Sequence, residues 1–393
     1  MITAGGLPVC VPNSVRVRAE LALSPRVDPA LSWSEAELPE RERTKHVHRL
    51  HPYLGKFVPQ LAEVFLRRFV RPGQLVWDPF AGSGTTLVEA NALGAHVAGC
   101  DVSVFNCLLC QVKTARYEPT ALLADVLQLS GPAARLPPAG QAGRYLRRWF
   151  ANHALRELLG FRERLADTWY PDLWRVVLSR SARSARLARH DDLDLPREPV
   201  RGEYFCHKHR RVCRPVGEAD KFLRRYVRDA VQRVQEFGDV RTDAEVAVLH
   251  DDARLVDPPA PVDLVLTSPP YPGLIDYHEQ HAYAFELLDL ERRDGDEIGR
   301  SVKGYCEDVA AVFRRAAAAL RPRGRVVIVV NDRRGLYDGI LRASGLVLEE
   351  RITRHVNRRT GRRNGEFYED VLVAKRAPSS SIAPWAASSL PTQ

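Results

Sequence analysis

A glycine-rich turn between a short apolar run and a helix-forming segment constrains this chain more than any other feature. The apolar run is Leu75 to Trp77, the turn reads Asp78-Pro79-Phe80-Ala81-Gly82-Ser83-Gly84, and the segment from Thr85 to Leu93 follows. A second apolar run, His96 to Cys100, leads to Asp101. Short apolar runs on either side of a helix predict two parallel strands joined by a crossover, which is a βαβ unit.

The residue types in this turn indicate a pocket for a nucleoside cofactor. Gly82 and Gly84 let the backbone approach a bound molecule closely, and Asp101 can accept hydrogen bonds from ribose hydroxyls. A phosphate-binding P-loop would need a lysine at the helix start, whereas Gly84 is followed by Thr85 and Thr86. A dinucleotide site prefers three glycines at fixed spacing, and this turn has two. A cofactor without phosphates is therefore favoured.

A second motif directly follows a predicted interior strand. The strand is Val262 to Leu266, and Thr267-Ser268-Pro269-Pro270-Tyr271 comes next. Ligands of open parallel sheets lie beyond the carboxyl ends of the strands, so this motif should face the same crevice as the glycine turn. The prolines stiffen the backbone so that a carbonyl points outward, Ser268 supplies an oxygen and Tyr271 supplies a flat face. Two acceptors can therefore converge on one amine while an aromatic ring stacks on the base that carries it.

Further apolar runs predict the rest of the sheet. Val246 to Leu249 and Arg325 to Val330 have the length and composition of buried parallel strands. The runs around Leu346 to Ile352 and Tyr368 to Ala374 predict a terminal β-hairpin at a sheet edge. The fold class that follows is α/β and Rossmann-like.

Composition divides the chain into regions. Residues 119–240 carry arginine, tryptophan and leucine at helical spacing, which predicts a mostly helical insertion. We expect an irregular lead-in over 1–45, a catalytic domain over 46–118 and 241–376, and a disordered tail over 377–393 that is low in apolar residues.

The two motifs together resemble those of the amino-group DNA methyltransferases, which modify cytosine N4 or adenine N6. The resemblance rests on Asp78–Thr86 and Ser268–Tyr271 and extends over about residues 46–117 and 246–376. It implies a class I methyltransferase fold with S-adenosylmethionine as the cofactor. In that family a serine at the first position of the catalytic tetrapeptide is associated with N4-cytosine enzymes. Ser268 therefore favours cytosine N4 over adenine N6.

The resemblance also implies the roles of individual residues. His51 to Phe57 is similar to the family's upstream cofactor-flanking segment, and Asp252 matches the acid expected near the cofactor adenine. The implied catalytic residues are Ser268, Pro269, Pro270 and Tyr271. The implied cofactor-binding residues are Lys56, Phe57, Asp78, Phe80, Gly82, Gly84, Thr85, Asp101 and Asp252. The target base has to leave the duplex, because its amine cannot reach a methyl donor while paired and stacked.

The charge of the chain indicates an acidic partner. A formal net charge of +9 comes largely from arginine, whose planar fork suits phosphates and guanine edges. Arg180, Arg183 and Arg186 recur every three residues and predict a cationic stripe that contacts DNA phosphates. We expect double-stranded DNA as the partner, with a cognate restriction nuclease as a further one.

Cysteine usage indicates a reducing compartment. The chain has seven scattered cysteines, an odd number that does not form a disulfide framework, so a cytoplasmic protein is expected. Cys206, His209 and Cys213 are zinc-ligand types, but their spacing differs from the usual paired pattern. We predict a basic loop with no metal there and keep zinc as the alternative. No apolar run approaches the ~18 residues that cross a bilayer, so no membrane association is expected.

Three other functions stay open at this point. An adenine N6 enzyme differs from a cytosine N4 enzyme only through the residue at position 268. An RNA base amino-methyltransferase could use a related tetrapeptide. A nucleic-acid-binding module with a silent methyltransferase fold is the alternative that is not an enzyme, and cofactor titration separates it from the others.

Overall fold

The computed structural model describes residues 27–131, 136–194, 196–270, 277–293, 298–299, 301–356 and 367–378. The first part of the lead-in, Tyr271 and the tail beyond residue 378 lie outside the described residues. Residues 27–45 of the lead-in contain only short elements, and Leu31 and Leu38 are buried against the body.

Seven strands form one mixed sheet, and two more form a separate small ribbon. In chain order the strands are β1 (Leu75–Asp78), β2 (His96–Asp101), β3 (Tyr204–Cys206), β4 (Arg211–Cys213), β5 (Val246–His250), β6 (Val262–Thr267), β7 (Leu320–Val330), β8 (Leu346–Val356) and β9 (Phe367–Arg376). The large sheet has the order β5-β2-β1-β6-β7-β9-β8, in which β9 runs antiparallel to its neighbours and the five strands before it are parallel.

The α-helices of the described residues alternate with these strands. They are α1 (Glu40–Arg43), α2 (Pro59–Phe69), α3 (Thr85–Ala92), α4 (Val104–Thr114), α5 (Pro119–Ser130), α6 (Arg144–Trp149), α7 (Asn152–Glu163), α8 (Pro171–Ala185), α9 (Asp220–Gly238), α10 (Tyr277–Gln280), α11 (Ala282–Leu288), α12 (Val302–Ala319) and α13 (Tyr337–Ala343).

Helices cover both faces of the sheet because successive strand residues point to opposite sides. Trp77, Val265 and Ile328 face a core built with α12 and α13. Val76 and Leu264, which alternate with them, face a core built with α2 and α3. Burial on both faces explains the apolar runs in the sequence, and the predicted α/β Rossmann-like fold is confirmed.

The insertion joins the catalytic core instead of forming a core of its own. Apolar residues of α7, α8 and α9 share one buried cluster with Phe105 and Leu109 of α4 and with Tyr283 and Phe285 of α11. The insertion is mostly helical, as predicted, and the β3–β4 ribbon is an element that the sequence did not predict.

Two details of the sheet differ from expectation. The terminal hairpin is present, but β9 lies between β7 and β8, so only β8 is at the edge. The β5 strand is at the other edge, where it pairs on one side only, and its residues are half-buried or exposed instead of fully buried. Over the described ranges, the helices are too short or too polar to cross a bilayer.

Candidate active site

Three neighbouring parallel strands each end in a polar residue at the same edge of the sheet. The β1 strand ends at Asp78, β2 at Asp101 and β6 at Thr267, and β1 lies between the other two. The carboxyl ends of adjacent parallel strands are where open α/β sheets bind ligands. The glycine turn follows β1 and the tetrapeptide follows β6, so the structure brings the two predicted motifs to one place, here called the strand-end pocket.

The glycine turn adopts backbone conformations that favour glycine. Gly82 and Gly84 have φ angles of +50° and +78°, in the left-handed region. A Cβ on Gly84 would lie 3.0 Å from the Sγ of Cys110. A side chain at this position would therefore also crowd α4. The Gly82 N–H donates a hydrogen bond of 2.8 Å to Asp101 Oδ2. This bond fixes the turn against the end of β2.

Asp101 is held in place by several donors. Its Oδ1 accepts from the Ser103 N–H at 2.9 Å and from Asn106 Nδ2 at 3.0 Å. Asn106 Nδ2 also donates to the hydroxyl of Tyr53 at 3.1 Å. The carboxylate is half-buried, and its Oδ2 accepts the hydrogen bond from the Gly82 N–H. Its orientation is therefore fixed before any ribose hydroxyl arrives, and the binding of ribose by Asp101 stays a prediction.

Asp78 connects the two motifs beneath the strand-end pocket. Its Oδ1 accepts from Thr267 Oγ1 at 2.6 Å and from the Phe80 N–H at 3.1 Å. The side chain is buried, and burial raises its pKa to about 6, although the bonds from Thr267 and Thr86 act in the opposite direction. Asp78 was predicted to bind the cofactor, and the structure gives it a positioning contact to the residue before Ser268. Thr267 was not predicted as its partner.

The tetrapeptide begins where β6 ends. Ser268 is half-buried, and its hydroxyl donates a 2.8 Å hydrogen bond to the Val329 carbonyl of β7. A hydroxyl that gives its only proton to the backbone can act toward a third group only as an acceptor. Pro269 is buried and Pro270 half-buried, whereas Tyr271 lies outside the described residues.

The rest of the turn surrounds the pocket with aromatic and hydroxyl groups. Phe80 is half-buried and packs edge-on against Phe313 of α12, with ring centroids 6.4 Å apart. Ser83 Oγ and Thr85 Oγ1 are buried without a hydrogen-bond partner among the described residues. Lys113, which sequence reasoning missed, is buried and donates to the Ser83 carbonyl at 2.6 Å. Burial first, and then the charge of a neighbouring lysine, lower the Lys113 pKa to about 7.

The upstream segment packs near the turn through Phe57, while Lys56 bonds to His48 just before the segment. Lys56 donates to the His48 carbonyl at 2.9 Å, and burial followed by the charge of Arg180 lowers its pKa to about 8. Phe57 is buried in the same cluster as Ala81 of the turn, so it packs beneath the pocket. Their predicted cofactor contacts stay predictions, and what the structure gives both residues is a supporting position.

Asp252, predicted to lie near the adenine, already has a strong partner. It follows β5, and its two carboxylate oxygens accept from Arg254 Nε and Nη2 at 2.7 to 3.0 Å. Burial raises the Asp252 pKa, but the hydrogen bonds and charge of Arg254 outweigh burial and lower it overall. Arg254 also pairs with Asp308 of α12 at 3.1 Å. This network anchors the loop beside Asp101, and an adenine contact by Asp252 stays a prediction.

The predicted cationic stripe of Arg180, Arg183 and Arg186 is wrong. Steps of three residues place Arg180 and Arg183 about 60° apart on one face of a helix, but that face is turned toward carboxylates of the insertion and away from solvent. The α8 helix also ends at Ala185, which leaves Arg186 beyond it. Charge spacing in the sequence does not show which face of a helix is buried or where the helix ends.

The three arginines are buried and engaged inside the insertion. Arg180 pairs with Asp229 of α9, and Arg183 pairs with Asp194. Their side chains are only 11% and 14% exposed, and Arg186 is 3% exposed. Buried guanidinium groups with carboxylate or carbonyl partners stabilise the packing of helices and do not present an open surface to phosphates.

Sequence reasoning also missed an aromatic wall next to α4. Tyr53 stacks on His281, with ring centroids 5.4 Å apart. His51 Nε2 lies 3.0 Å from Ser179 Oγ of α8 and 3.5 Å from the hydroxyl of Tyr283. Burial holds the pKa of His51 well below its usual range, so this histidine is neutral. The His51-Pro52-Tyr53 sequence was a visible signal, but its packing partners come from distant parts of the chain.

The strand-end pocket fits S-adenosylmethionine. The carboxylate of Asp101 suits ribose hydroxyls, and the left-handed backbone at Gly82 leaves room for close approach. The partnerless buried oxygens of Ser83 and Thr85 suit a polar ligand. Sheet, turn and acid together define a class I S-adenosylmethionine-dependent methyltransferase.

Comparison with known proteins agrees with this class. A family model of N6/N4 methyltransferases, described as DNA methylase, matches residues 24–110. The type II methyltransferase M.MjaII of Methanocaldococcus jannaschii is 33% identical over 88% of this chain and 83% of its own length. The type II methyltransferase M.MvaI of Kocuria varians is 24% identical over 64% of this chain and 60% of its own. The chain therefore belongs to the N6/N4 family of DNA methylases and uses S-adenosylmethionine as methyl donor.

Solved structures give a weaker likeness. TrmN from Thermus thermophilus aligns with a TM-score of 0.35 and 17% identity, covering 82% of this chain and 50% of that one. The fold assignment rests on the strand order and on the family.

Proposed function

We propose that this DNA methyltransferase transfers the methyl group to the N4 amine of a cytosine flipped out of double-stranded DNA. The observation that carries the proposal is the hydrogen bond from Ser268 to the Val329 carbonyl. It leaves the serine oxygen as an acceptor beside the cofactor turn, where an exocyclic amine needs one.

The proposed mechanism depends on orientation. When bound, S-adenosylmethionine supplies an electrophilic methyl group on a sulfonium. Ser268 and the Pro269 carbonyl accept hydrogen bonds from the two amine hydrogens, which turns the nitrogen lone pair toward that methyl group. Tyr271 stacks on the flipped base. Asp78 holds Thr267, and so the start of the tetrapeptide, at the level of the glycine turn.

Transfer by direct displacement requires no covalent enzyme intermediate. Cys107 and Cys110 of α4 are buried, and burial raises the pKa of each thiol far above its usual value. These thiols are uncharged packing groups. Reactive cysteines are found in electropositive, partly exposed places that stabilise a thiolate.

The proposed partners are duplex DNA and a cognate restriction nuclease. The type II names of the two relatives and the net charge of +9 support them. Arg180, Arg183 and Arg186 are engaged inside the insertion and are not among the proposed phosphate contacts. The proposed cofactor contacts are those of Gly82, Gly84, Phe80, Thr85 and Asp101, with Lys56, Phe57, Asp78 and Asp252 in support.

Mass analysis of methylated nucleosides tests the choice of base and polymer. Genomic DNA, synthetic duplexes and RNA are incubated with the protein and methyl-labelled S-adenosylmethionine, then digested to nucleosides. The proposal predicts labelled N4-methylcytosine from duplex DNA. Labelled N6-methyladenine instead would show that the target is adenine N6. Label confined to RNA would reject DNA as the substrate. Cofactor binding with no label in any polymer would favour the silent module.

A further inference from the structure

Four metal-ligand side chains converge at the β3–β4 ribbon of the insertion. They are His190, Cys206, His209 and Cys213, and one ligand atom from each lies within 4.8 Å of all the others. The geometry points to a structural zinc ion held by these four side chains. Sequence reasoning had kept three of them as an alternative and had not found His190, which lies outside the ribbon.

The distances match a tetrahedral zinc site. The Nδ1 of His209 is 3.5 Å from the Sγ of Cys206 and 3.5 Å from the Sγ of Cys213. Zinc–sulfur and zinc–nitrogen bonds of about 2.3 and 2.0 Å at tetrahedral angles separate sulfur from nitrogen by about 3.5 Å. His209 therefore already stands at the spacing from both cysteines that zinc imposes on its ligands, and His190 lies within 4.8 Å of all three.

Hydrogen bonding alone leaves this cluster incomplete. A single ring nitrogen of His209 faces two thiols, and a nitrogen can share at most one proton with them. The Nδ1 of His190 is buried and has no hydrogen-bond partner among the described residues. Both cysteines are buried free thiols. A cation bound by two thiolates and two imidazoles would satisfy all four groups at once.

The ribbon is too small to be stable through its own core. Each strand has three residues, and its apolar cluster consists of Tyr204, Cys206 and Cys213 with Val200 beside them. Isolated two-stranded ribbons are marginal in water, and structural zinc adds its binding free energy directly to folding. The ribbon nevertheless has a defined register, with Tyr204 opposite Cys213. The proposed ion accounts for that order.

A second layer of contacts attaches the His190 segment to the ribbon. The His190 N–H donates to the Tyr204 hydroxyl at 2.9 Å. Asp191 accepts from the His207 N–H at 2.9 Å, and Arg189 donates to the Phe205 carbonyl at 2.7 Å. These bonds fix the backbone of the His190 segment against the ribbon. The segment before the ribbon is therefore held where His190 can complete the ligand set.

The ligand chemistry selects zinc and a structural role. Two thiolates and two imidazoles suit zinc and exclude calcium and magnesium, which prefer oxygen ligands. Four protein ligands leave no open position for water or substrate. The ion would thus stabilise the insertion and take no part in methyl transfer.

Metal analysis of the full-length protein tests the proposal. The protein is produced with zinc, freed of any histidine tag and desalted without chelator, and its metal content is measured by mass spectrometry. We expect about one zinc per folded chain, consistent with a closed four-ligand site. His209→Ala should lose the zinc, whereas His207→Ala, in the same turn but outside the cluster, should keep it. Folded wild-type protein with no zinc, or equal zinc in both variants, would overturn the proposal.

A spectroscopic test avoids variants that fail to fold. Cobalt(II) is exchanged into the wild-type protein, and its absorption is recorded. The proposal predicts the intense visible bands of tetrahedral cobalt together with thiolate-to-cobalt charge transfer in the near ultraviolet. Weak octahedral bands without charge transfer would overturn it. Chelator should also lower the melting temperature, and zinc but not magnesium should restore it; a melting temperature unaffected by chelator would count equally against the site.

Discussion

The strand-end pocket and the insertion show how differently charged and polar residues can be placed in one chain. In the pocket, Asp78 and Asp101 end parallel strands and Ser268 follows one, so all three arrive at one edge of the sheet. In the insertion, Arg180 and Arg183 are turned toward carboxylates from other segments. The first arrangement is dictated by local backbone topology, and the second is decided only when helices pack together.

This difference predicts different consequences of substitution. Removing a charge in the pocket should impair ligand binding or chemistry while the fold survives. Removing a charge in the insertion should reduce the stability of the protein, because it leaves a buried partner without its counter-charge.

Asp101→Ala gives the largest expected effect. The change removes the acceptor for ribose hydroxyls and releases the Gly82 N–H. Loss of two charge-assisted hydrogen bonds should weaken S-adenosylmethionine binding by roughly 1,000-fold, which is about 4 kcal/mol. Isothermal titration calorimetry measures this, with exposed Asp239→Asn at the end of α9 as the control. Near-normal affinity in Asp101→Ala would remove Asp101 from the cofactor site.

Arg180→Ala tests the insertion. The pair with Asp229 is largely buried, so we expect the free energy of unfolding to fall by about 3 kcal/mol, the lower end for such pairs. Denaturant unfolding measures the loss. Arg175→Ala on the same helix is the matched control, because its pair with Asp172 is half-exposed and should contribute at most about 1 kcal/mol. Equal stability of the two variants would restore the exposed-stripe interpretation.

Asp78→Asn tests the pocket side of the comparison through the pH dependence of stability. Burial raises the Asp78 pKa to about 6 from 3.8, so the native state keeps a proton that the unfolded chain releases. The stability contributed by this group is full below about pH 4 and is lost as pH rises through about 6. Asparagine keeps the acceptor for Thr267 but does not titrate.

The measurement for Asp78 is the free energy of unfolding between pH 4 and pH 7. The wild-type value should fall by about 2–3 kcal/mol relative to that of Asp78→Asn over this interval. Because only the difference between the two proteins is used, other titrating groups cancel. Parallel profiles would show that folding does not raise the Asp78 pKa.

The same contrast explains how much the sequence could predict. The helix predicted from Thr85 to Leu93 is observed over Thr85–Ala92, and the strand from His96 to Cys100 is observed over His96–Asp101. Apolar runs bounded by turn residues determine such elements locally. The aromatic wall of His51 and His281 and the pairing of Arg180 depend on contacts between segments far apart in the chain, which spacing does not encode.

The β3–β4 ribbon is a second feature that the sequence could predict only in part. Cys206, His209 and Cys213 were recognised as possible ligands because they lie close together in the sequence. His190 was missed because it joins them only through the fold. Short strands of three residues carry too little periodicity to be identified in advance.

Cys107→Ala gives the smallest expected effect. Its thiol is buried on α4 and takes no part in the proposed displacement. We expect the methyl-transfer rate at saturating cofactor to stay within about twofold of wild type, since the change removes packing atoms and weak thiol hydrogen bonds to the Asp101 and Leu249 carbonyls. Loss of transfer in a folded Cys107→Ala protein would bring thiol chemistry back into the mechanism.

Ser268→Ala tests the central claim most directly, namely that cofactor and acceptor amine meet through two separate motifs of one pocket. Cofactor affinity and single-turnover methyl transfer to duplex DNA are measured on the same preparation, with exposed Ser130→Ala as the control. The account predicts unchanged S-adenosylmethionine affinity and a transfer rate lower by at least about 100-fold, the usual cost of losing one positioned hydrogen-bonding group. A Ser268→Ala protein that transfers methyl groups at the wild-type rate would contradict it.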